Sequence, residues 1–457
     1  MPSVEQKTAD ARGQIRETNM EIKPFRAFRF DPAVVGDAGR CVAPPFDVIS
    51  PSQQEHLYEK SQYNVARITK GKTNPSDDGS SNQYTRAAKY FHRWLKEGAL
   101  KQDPADAIYA YIQDFQLAGT SFQRLNFIAL AKLEDFGPPG RVRPHEQILN
   151  EPMIDRLKLK KATGARFGLV FMLYEDQQKI ADGIIENTIA QTPLMDFVND
   201  EQIRHRIFAI TSRHDIDAIA KMMSDKTCII ADGHHRYTTG LTYSKESCNP
   251  SAKYQMLAFS NTCQDGLKVL ATHRLIGNLE GFSIKRLIGR LKDEFDMLEF
   301  PFDSSAAKEQ ARQSMFAKMK ADFGDERNVF GIYGGGSSFW LAVLREKQAM
   351  DSVAPHMSPA WRALDAAVLH KLVLEKLLHI DDKKLAKGEN VEYIRDTPDA
   401  VDDAIRRIDA GHKQAVFFMN PIRMQQLKMV TDAGERMPPK STYFYPKMYT
   451  GLTIQKL

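Results

Sequence analysis

Thr227-Cys228-Ile229-Ile230-Ala231 is a short apolar run that leads directly into Asp232-Gly233-His234-His235-Arg236-Tyr237 and then into the helix-patterned TTGLTYSKES. So short and apolar a run reads as a buried strand. It imposes a strand–turn–helix unit near the middle of the chain, around which a sheet must be built. The first N–H groups of a helix have no intrahelical partner, and the helix dipole favours negative charge there, so such a junction is a ready anion site. Gly233 lets the backbone approach a ligand, and Arg236 offers a planar fork for phosphate oxygens. His234 and His235 add donors, or a group that titrates near neutral pH. Asp232 could hold a magnesium ion or take a substrate proton. An isolated Asp-Gly is usually a turn and an isolated His is usually structural. Four polar functional side chains around one Gly after a buried strand are less common, which favours a site. Zinc is a poorer reading, because adjacent histidines diverge on a helix or strand and no Cys cluster or HExxH accompanies them.

The rest of the chain bounds the setting. Its 457 residues, 42% hydrophobic and 26% charged, suit two or three globular domains with a real core. No apolar run approaches the roughly 20 residues of a membrane span. The first residues, MPSVEQKTADARGQIRETNM, lack an apolar signal core, which argues against secretion by that route. Cys41, Cys228, Cys248 and Cys263 show no paired spacing and read as reduced thiols of a cytoplasmic protein. The 63 basic against 58 acidic residues leave too small an excess to announce nucleic-acid binding. Three regions are expected: a polar extension over 1–22, a catalytic region over 23–278 and a C-terminal α/β region over 279–457. Strands and helices mix without regular βα alternation, so the fold class is α+β (mixed α/β).

Two further segments carry candidate chemistry. Arg141 to Arg156 centres on Pro144-His145-Glu146, where Glu146 is the carboxylate suited to general-base work and Arg141, Arg143 and Arg156 could face a polyanion; a solvated charged loop is the equal alternative. Lys440 to Lys447, KSTYFYPK, could close over an anion or simply pack aromatics on a sheet. Thr272-His273-Arg274 either brings cations towards the main site or caps a strand. Gly334-Gly335-Gly336 lacks a following Lys-Ser/Thr and reads as a hairpin turn between strands, not a P-loop.

APPFDVIS, YNVARI, RPHEQ, DRLKLKKAT, IADGHHRYTTG, THRLI and MPPKSTYFYPK occur in this order from about Ile22 to the C-terminus. Together they resemble the domain-of-unknown-function family ten-fifteen. DGHHR, with Pro-His-Glu upstream, also resembles the free serine kinases of the ParB/sulfiredoxin superfamily. That resemblance implies a ParB/sulfiredoxin-like catalytic core with large insertions. It implies Glu146 as the base near a serine hydroxyl, Asp232 beside the reacting group with Mg²⁺, and His234 as a further catalytic group. Gly233, His235 and Arg236 would surround the donor phosphates, with His145, Arg143, Arg274 and Lys447 as further binding residues. Phe46 stands where the family pattern has tyrosine, and RFGLVF replaces a more polar Asn-Ser-Pro pattern.

The leading expectation is a phosphotransferase that moves a phosphoryl group from inorganic pyrophosphate to free L-serine. An ATP- or ADP-dependent serine kinase is the alternative within the enzyme class. A non-catalytic ParB-like nucleotide or phosphate switch is the alternative outside it. The switch calls for a basic helical stripe and a helix-turn-helix after the box, and the mixed charge after Gly240 supplies neither. No nucleic-acid or membrane partner is expected.

Overall fold

The computed structural model describes residues 18–147 and 150–457. The fold is α+β, with helices laid on largely antiparallel sheets. Its described residues fall into two compact units. The first comprises 18–144, 150–268 and Pro446–Leu457; the second comprises His145–Gln147 and Val269–Tyr445. The division departs from the expected regions at three places. The boundary lies ten residues before 278, the Pro-His-Glu segment is split, and the C-terminal residues rejoin the first unit. Of the expected polar extension, 1–17 lie outside the described residues, whereas Met20 and Ile22 are buried in the core.

The first unit is built on one nine-stranded sheet. Its strands are Ile22–Lys23 (β1), Ile108–Leu117 (β2), Thr120–Lys132 (β3), Val142–Arg143 (β4), Val170–Tyr174 (β5), Met195–Val198 (β6), Arg204–Ile210 (β7), Cys228–Asp232 (β8) and Tyr254–Asn261 (β9). They run in the order β4-β8-β5-β9-β3-β2-β7-β6, with β1 along β3. Only β4/β8 and β5/β9 are parallel. Alternate residues of β2, β3, β5, β8 and β9 enter one apolar core, as the two-residue period of a strand requires. Four helices matter to the site: Gln83–Lys96 (α1), Asn150–Thr163 (α2), Arg213–Met223 (α3) and His234–Glu246 (α4). In α3, Ile216, Ile219, Met222 and Met223 recur at helical spacing and fill the core. In turn, α2 packs against both α1 and α4. All four cysteines are free thiols.

The second unit carries a six-stranded antiparallel sheet of Thr272–Ile276 (β10), Phe295–Pro301 (β11), Val329–Tyr333 (β12), Ser338–Leu344 (β13), Val391–Arg395 (β14) and Ala415–Phe418 (β15), in the order β11-β13-β12-β15-β10-β14. Helices Ser305–Gly324 (α5) and Pro398–Asp409 (α6) cover its core, with Val401, Ala404, Ile405 and Ile408 as the buried stripe of α6. The expected hairpin around Gly334 forms between β12 and β13. The helix Ile284–Leu291 ends before Phe295, which opens β11, because pairing with β13 overrides the local helical period. Among the described residues no helix is long and apolar enough to cross a membrane.

Candidate functional site

The strand–turn–helix expected around Asp232 is present. β8 pairs with β5 as Ile230↔Met172 and Asp232↔Phe171, so Ala231 is one residue too many and the register shifts there. Such a bulge re-aims the next side chain at the end of a strand. Gly233 follows with φ +96°, and α4 starts at His234. The Tyr237 side chain, fully buried, locks the first turn: its hydroxyl donates to the Glu134 carbonyl at 3.0 Å and accepts from the Glu134 N–H at 3.1 Å. A Cβ on Gly233 would sit 3.0–3.2 Å from the Arg236 guanidinium, in a backbone region that side chains rarely adopt. Gly233→Ala is therefore expected to destabilise the protein by about 1–2 kcal/mol and to displace Arg236. Urea unfolding checks the first effect, and an unchanged midpoint would contradict it.

Asp232 is held on both sides. Lys447 Nζ donates to Oδ1 at 2.8 Å, and Arg236 Nη2 donates to Oδ2. Arg236 also donates through Nη1 to the Leu169 carbonyl. Burial by itself would raise the Asp232 carboxyl, but Lys447 and then Arg236 outweigh it, with His234 adding to them, and hold it well below the usual carboxylate range. His234 is buried at the first position of α4, and His235 is half-buried beside it.

Beside this junction lies a cavity of about 550 Å³, its mouth included. Arg156, Lys160, Arg166 and Arg236 all line it, and among the described residues no acidic one does. Arg156 and Lys160 come from one face of α2, four residues apart. Arg156 lies over the Phe46 ring at 3.9 Å, pairs with Asp155 and donates to the Thr69 carbonyl at 2.6 Å. Arg166 is 3% exposed and burial pushes it down to about 9. One amide oxygen, Gln255 Oε1, serves both Arg166 at 3.0 Å and Lys160 at 3.4 Å. Gly240 makes room for it, since a Cβ there would lie 2.7 Å from that oxygen. Burial, reinforced by Arg166, holds the Lys160 ammonium well below its ordinary range. The cavity is thus a buried, cation-lined space in which two of the four cations share a single neutral acceptor. An incoming oligoanion would replace the water that these groups have lost.

The C-terminal residues complete it. Lys447 reaches Asp232, Thr450 lines the cavity, and Gln455 Oε1 accepts from Arg166 Nη1 at 2.8 Å. Of KSTYFYPK, then, Lys447 belongs to this site, while Tyr443–Tyr445 form a strand in the second unit. Arg143 is buried on β4, beside Ile229 of β8, and donates to the Gly140 carbonyl at 2.6 Å; it does not line the cavity. His145, Glu146 and Arg274 belong to the second unit. There His145 is fully buried, its Nε2 is 2.8 Å from Thr442 Oγ1 and its carbonyl accepts from the Met437 N–H at 2.8 Å, so His145 and the MPPKST segment are joined within the second unit. Glu146 is half-buried next to it.

Among the described residues no group of three or more His, Cys, Asp or Glu could hold a metal ion. Asp232, the carboxylate expected to bind one, already has a cation on each oxygen. Lys160 and Arg166 escaped the sequence reading. The signal that could have found them is the i, i+4 spacing of Arg156 and Lys160 within DRLKLKKAT.

A family model described as "Protein of unknown function (DUF1015)" matches residues 22–367. No curated protein matches the chain. Among solved structures, a free serine kinase in complex with AMP is similar at 15% identity and a TM-score of 0.30, covering 66% of this chain and 83% of its own. A conserved hypothetical protein from Pyrococcus furiosus is similar at 14% identity and a TM-score of 0.31, covering 67% and 89%. SbnI with C-terminal truncation from Staphylococcus aureus is similar at 10% identity and a TM-score of 0.30, covering 67% and 81%.

Proposed function

The chain belongs to the family described as "Protein of unknown function (DUF1015)", a description that leaves the activity open, and we propose that it is a cytoplasmic phosphotransferase that moves a phosphoryl group from inorganic pyrophosphate to free L-serine. The observation that carries this reading is the cavity lined by Arg156, Lys160, Arg166 and Arg236 with no acidic residue among those described, adjoining the helix start at which Asp232 holds Arg236 and Lys447. Phosphoryl transfer asks a protein mainly for positioning and for fixed positive charge around the transferred group. Serine as acceptor rests on the likeness of the Pro144-His145-Glu146 and DGHHR boxes to those of free serine kinases.

In this reading Arg236, Lys160 and Arg166 bind the donor phosphates, with the N–H groups of His234 and His235 at the start of α4 as the remaining contacts from the same unit. Asp232 is a positioning residue. A carboxylate held so far below its usual range is a poor base, and its work is to fix Lys447 and Arg236. The serine hydroxyl oxygen forms the new P–O bond as the bridging P–O bond to the leaving phosphate breaks, and its proton passes to a carboxylate, the role that the likeness to free serine kinases gives to Glu146. Mg²⁺ would enter with the donor, as it commonly binds through substrate phosphates and one or two carboxylates.

Glu146→Gln is expected to lower turnover by roughly 10²- to 10⁴-fold with the fold intact by circular dichroism. A rate near that of the unaltered protein would remove Glu146 from the mechanism. The reading itself is tested by phosphorus NMR of the protein with L-serine and Mg²⁺ and, in separate tubes, pyrophosphate, ATP or ADP. Phosphoserine is expected with pyrophosphate. Phosphoserine with a nucleotide alone would correct the donor, and none in any tube would overturn the enzyme reading in favour of a binding switch.

A further inference from the structure

The second unit contains a guanidinium that its own fold leaves unanswered. Arg274 stands on β10, between β15 and β14, and is 1% exposed. Its Nη1 donates to the Thr272 carbonyl, and its guanidinium lies 5.5 Å from the Tyr393 ring centre. Its Nε and Nη2 meet no hydrogen-bond partner among the described residues. These two nitrogens form the side-on edge of the guanidinium, the edge that takes both oxygens of a carboxylate or phosphate. Arg274 lines a cavity of about 360 Å³, mouth included, together with Thr272, Asp365, Asn420, Gln426 and Ser441.

Asp365 supplies the other half of the arrangement. It is 8% exposed, its Oδ1 accepts from Asn328 Nδ2 at 2.8 Å, the Val329 N–H and the Asn420 side chain also lie against the carboxyl, and its Oδ2 makes no hydrogen bond of ordinary geometry among the described residues. Burial pushes its carboxyl up to about 7. Arg274 and Asp365 thus line one cavity without bonding to each other. A buried guanidinium and a buried carboxyl left apart are costly, and a ligand that spans them removes both costs at once.

We propose that this cavity binds a small ligand that presents an oxyanion to the Nε/Nη2 edge of Arg274 and a hydrogen-bond donor to Asp365, the chemical class of α-amino and α-hydroxy acids. The oxyanion takes two parallel N–H bonds, and the ammonium or hydroxyl donates to Asp365 Oδ2. Thr272 and Ser441 are small polar side chains at the wall, and the cavity's volume suits a ligand with a short carbon chain. The inference does not rest on phosphoryl transfer, because binding is measured without any phosphate donor.

The test is NMR of arginine Nε–H groups in the full chain, titrated separately with L-serine, glycolate, acetate and inorganic phosphate. The Arg274 resonance is assigned by its loss in Arg274→Lys. The expected result is a saturable shift with L-serine or glycolate, and binding of acetate, which lacks the donor, about tenfold weaker, the effect of one lost charged hydrogen bond. Asp365→Asn, which keeps the side-chain shape if Arg274→Lys fails to fold, is expected to weaken L-serine by a similar factor and to leave acetate unchanged. A shift with phosphate alone, equal affinity for acetate and L-serine, or no shift with any probe would each overturn the proposal.

Discussion

Asp232→Asn is expected to lower kcat for phosphoserine formation by roughly 10²- to 10³-fold while the donor KM does not rise. The carboxylate touches Lys447 at 2.8 Å and also Arg236, so its charge fixes two cations beside the cation-lined cavity. Removing that charge frees both side chains to move, which costs transition-state alignment, yet it makes the surroundings more positive, which favours an anionic donor in the ground state. A loss confined to kcat is the signature of an interaction that matters in the transition state. Stability should also fall, by about 3 kcal/mol, because two largely enclosed cations lose one charged contact each. The sign with pH follows from the depressed carboxyl. Its contribution is fully present above the unfolded value of about 3.9 and fades as pH falls through the folded value, so the gap between the two proteins is constant near neutrality and closes only in strong acid. Equal turnover, or a raised donor KM at unchanged kcat, would contradict the positioning role.

Lys160→Met is expected to act in two directions at once. Lys160 is 7% exposed and has Gln255 at 3.4 Å as its hydrogen-bond acceptor, with Arg166 nearby. Replacing a buried, poorly answered ammonium by a thioether of similar length removes that penalty, so the ligand-free protein should gain roughly 2 kcal/mol, or a melting temperature higher by roughly 4–8 °C. The folded-state value of Lys160 is depressed, so the penalty is constant at low pH and disappears as pH rises to the unfolded value of about 10.4. The melting gap should narrow accordingly in alkali. Donor affinity should fall about tenfold or more over the same substitution. Such an exchange of stability for binding marks a functional group rather than a structural one. A variant that melts lower than the parent, or binds pyrophosphate as well, would contradict the assignment.

Several parts of this arrangement were legible in the sequence. The apolar run before Asp232 predicts β8, and the polar residues around Gly233 predict the anion-ready start of α4. The alternation and turn signals of β12 and β13 sufficed for their hairpin. What stayed hidden had physical causes. α2 was read only as a polar segment because its buried positions include Lys160, and a helix that buries charge lacks the apolar period that reveals a helix. Lys447 and Asp232 are 215 residues apart, and His145 and Thr442 are 297 apart. No local pattern encodes such pairings: the first arises only when the chain's last residues return to the first unit, and the second only when His145 joins the second unit. Arg274 read as an ambiguous cation because its sequence neighbours are ordinary strand residues. Its significance lies in two nitrogens that the finished fold leaves without a partner.

The central claim is that the cavity lined by Arg156, Lys160, Arg166 and Arg236 holds the phosphate donor. Isothermal titration of pyrophosphate into the full chain, and into Arg236→Ala and Arg166→Met, tests it most directly. The account predicts one site per chain and an affinity at least about tenfold weaker in each variant, the loss of a charged hydrogen bond. Pyrophosphate binding that is unchanged in both variants would place the donor elsewhere and contradict the account.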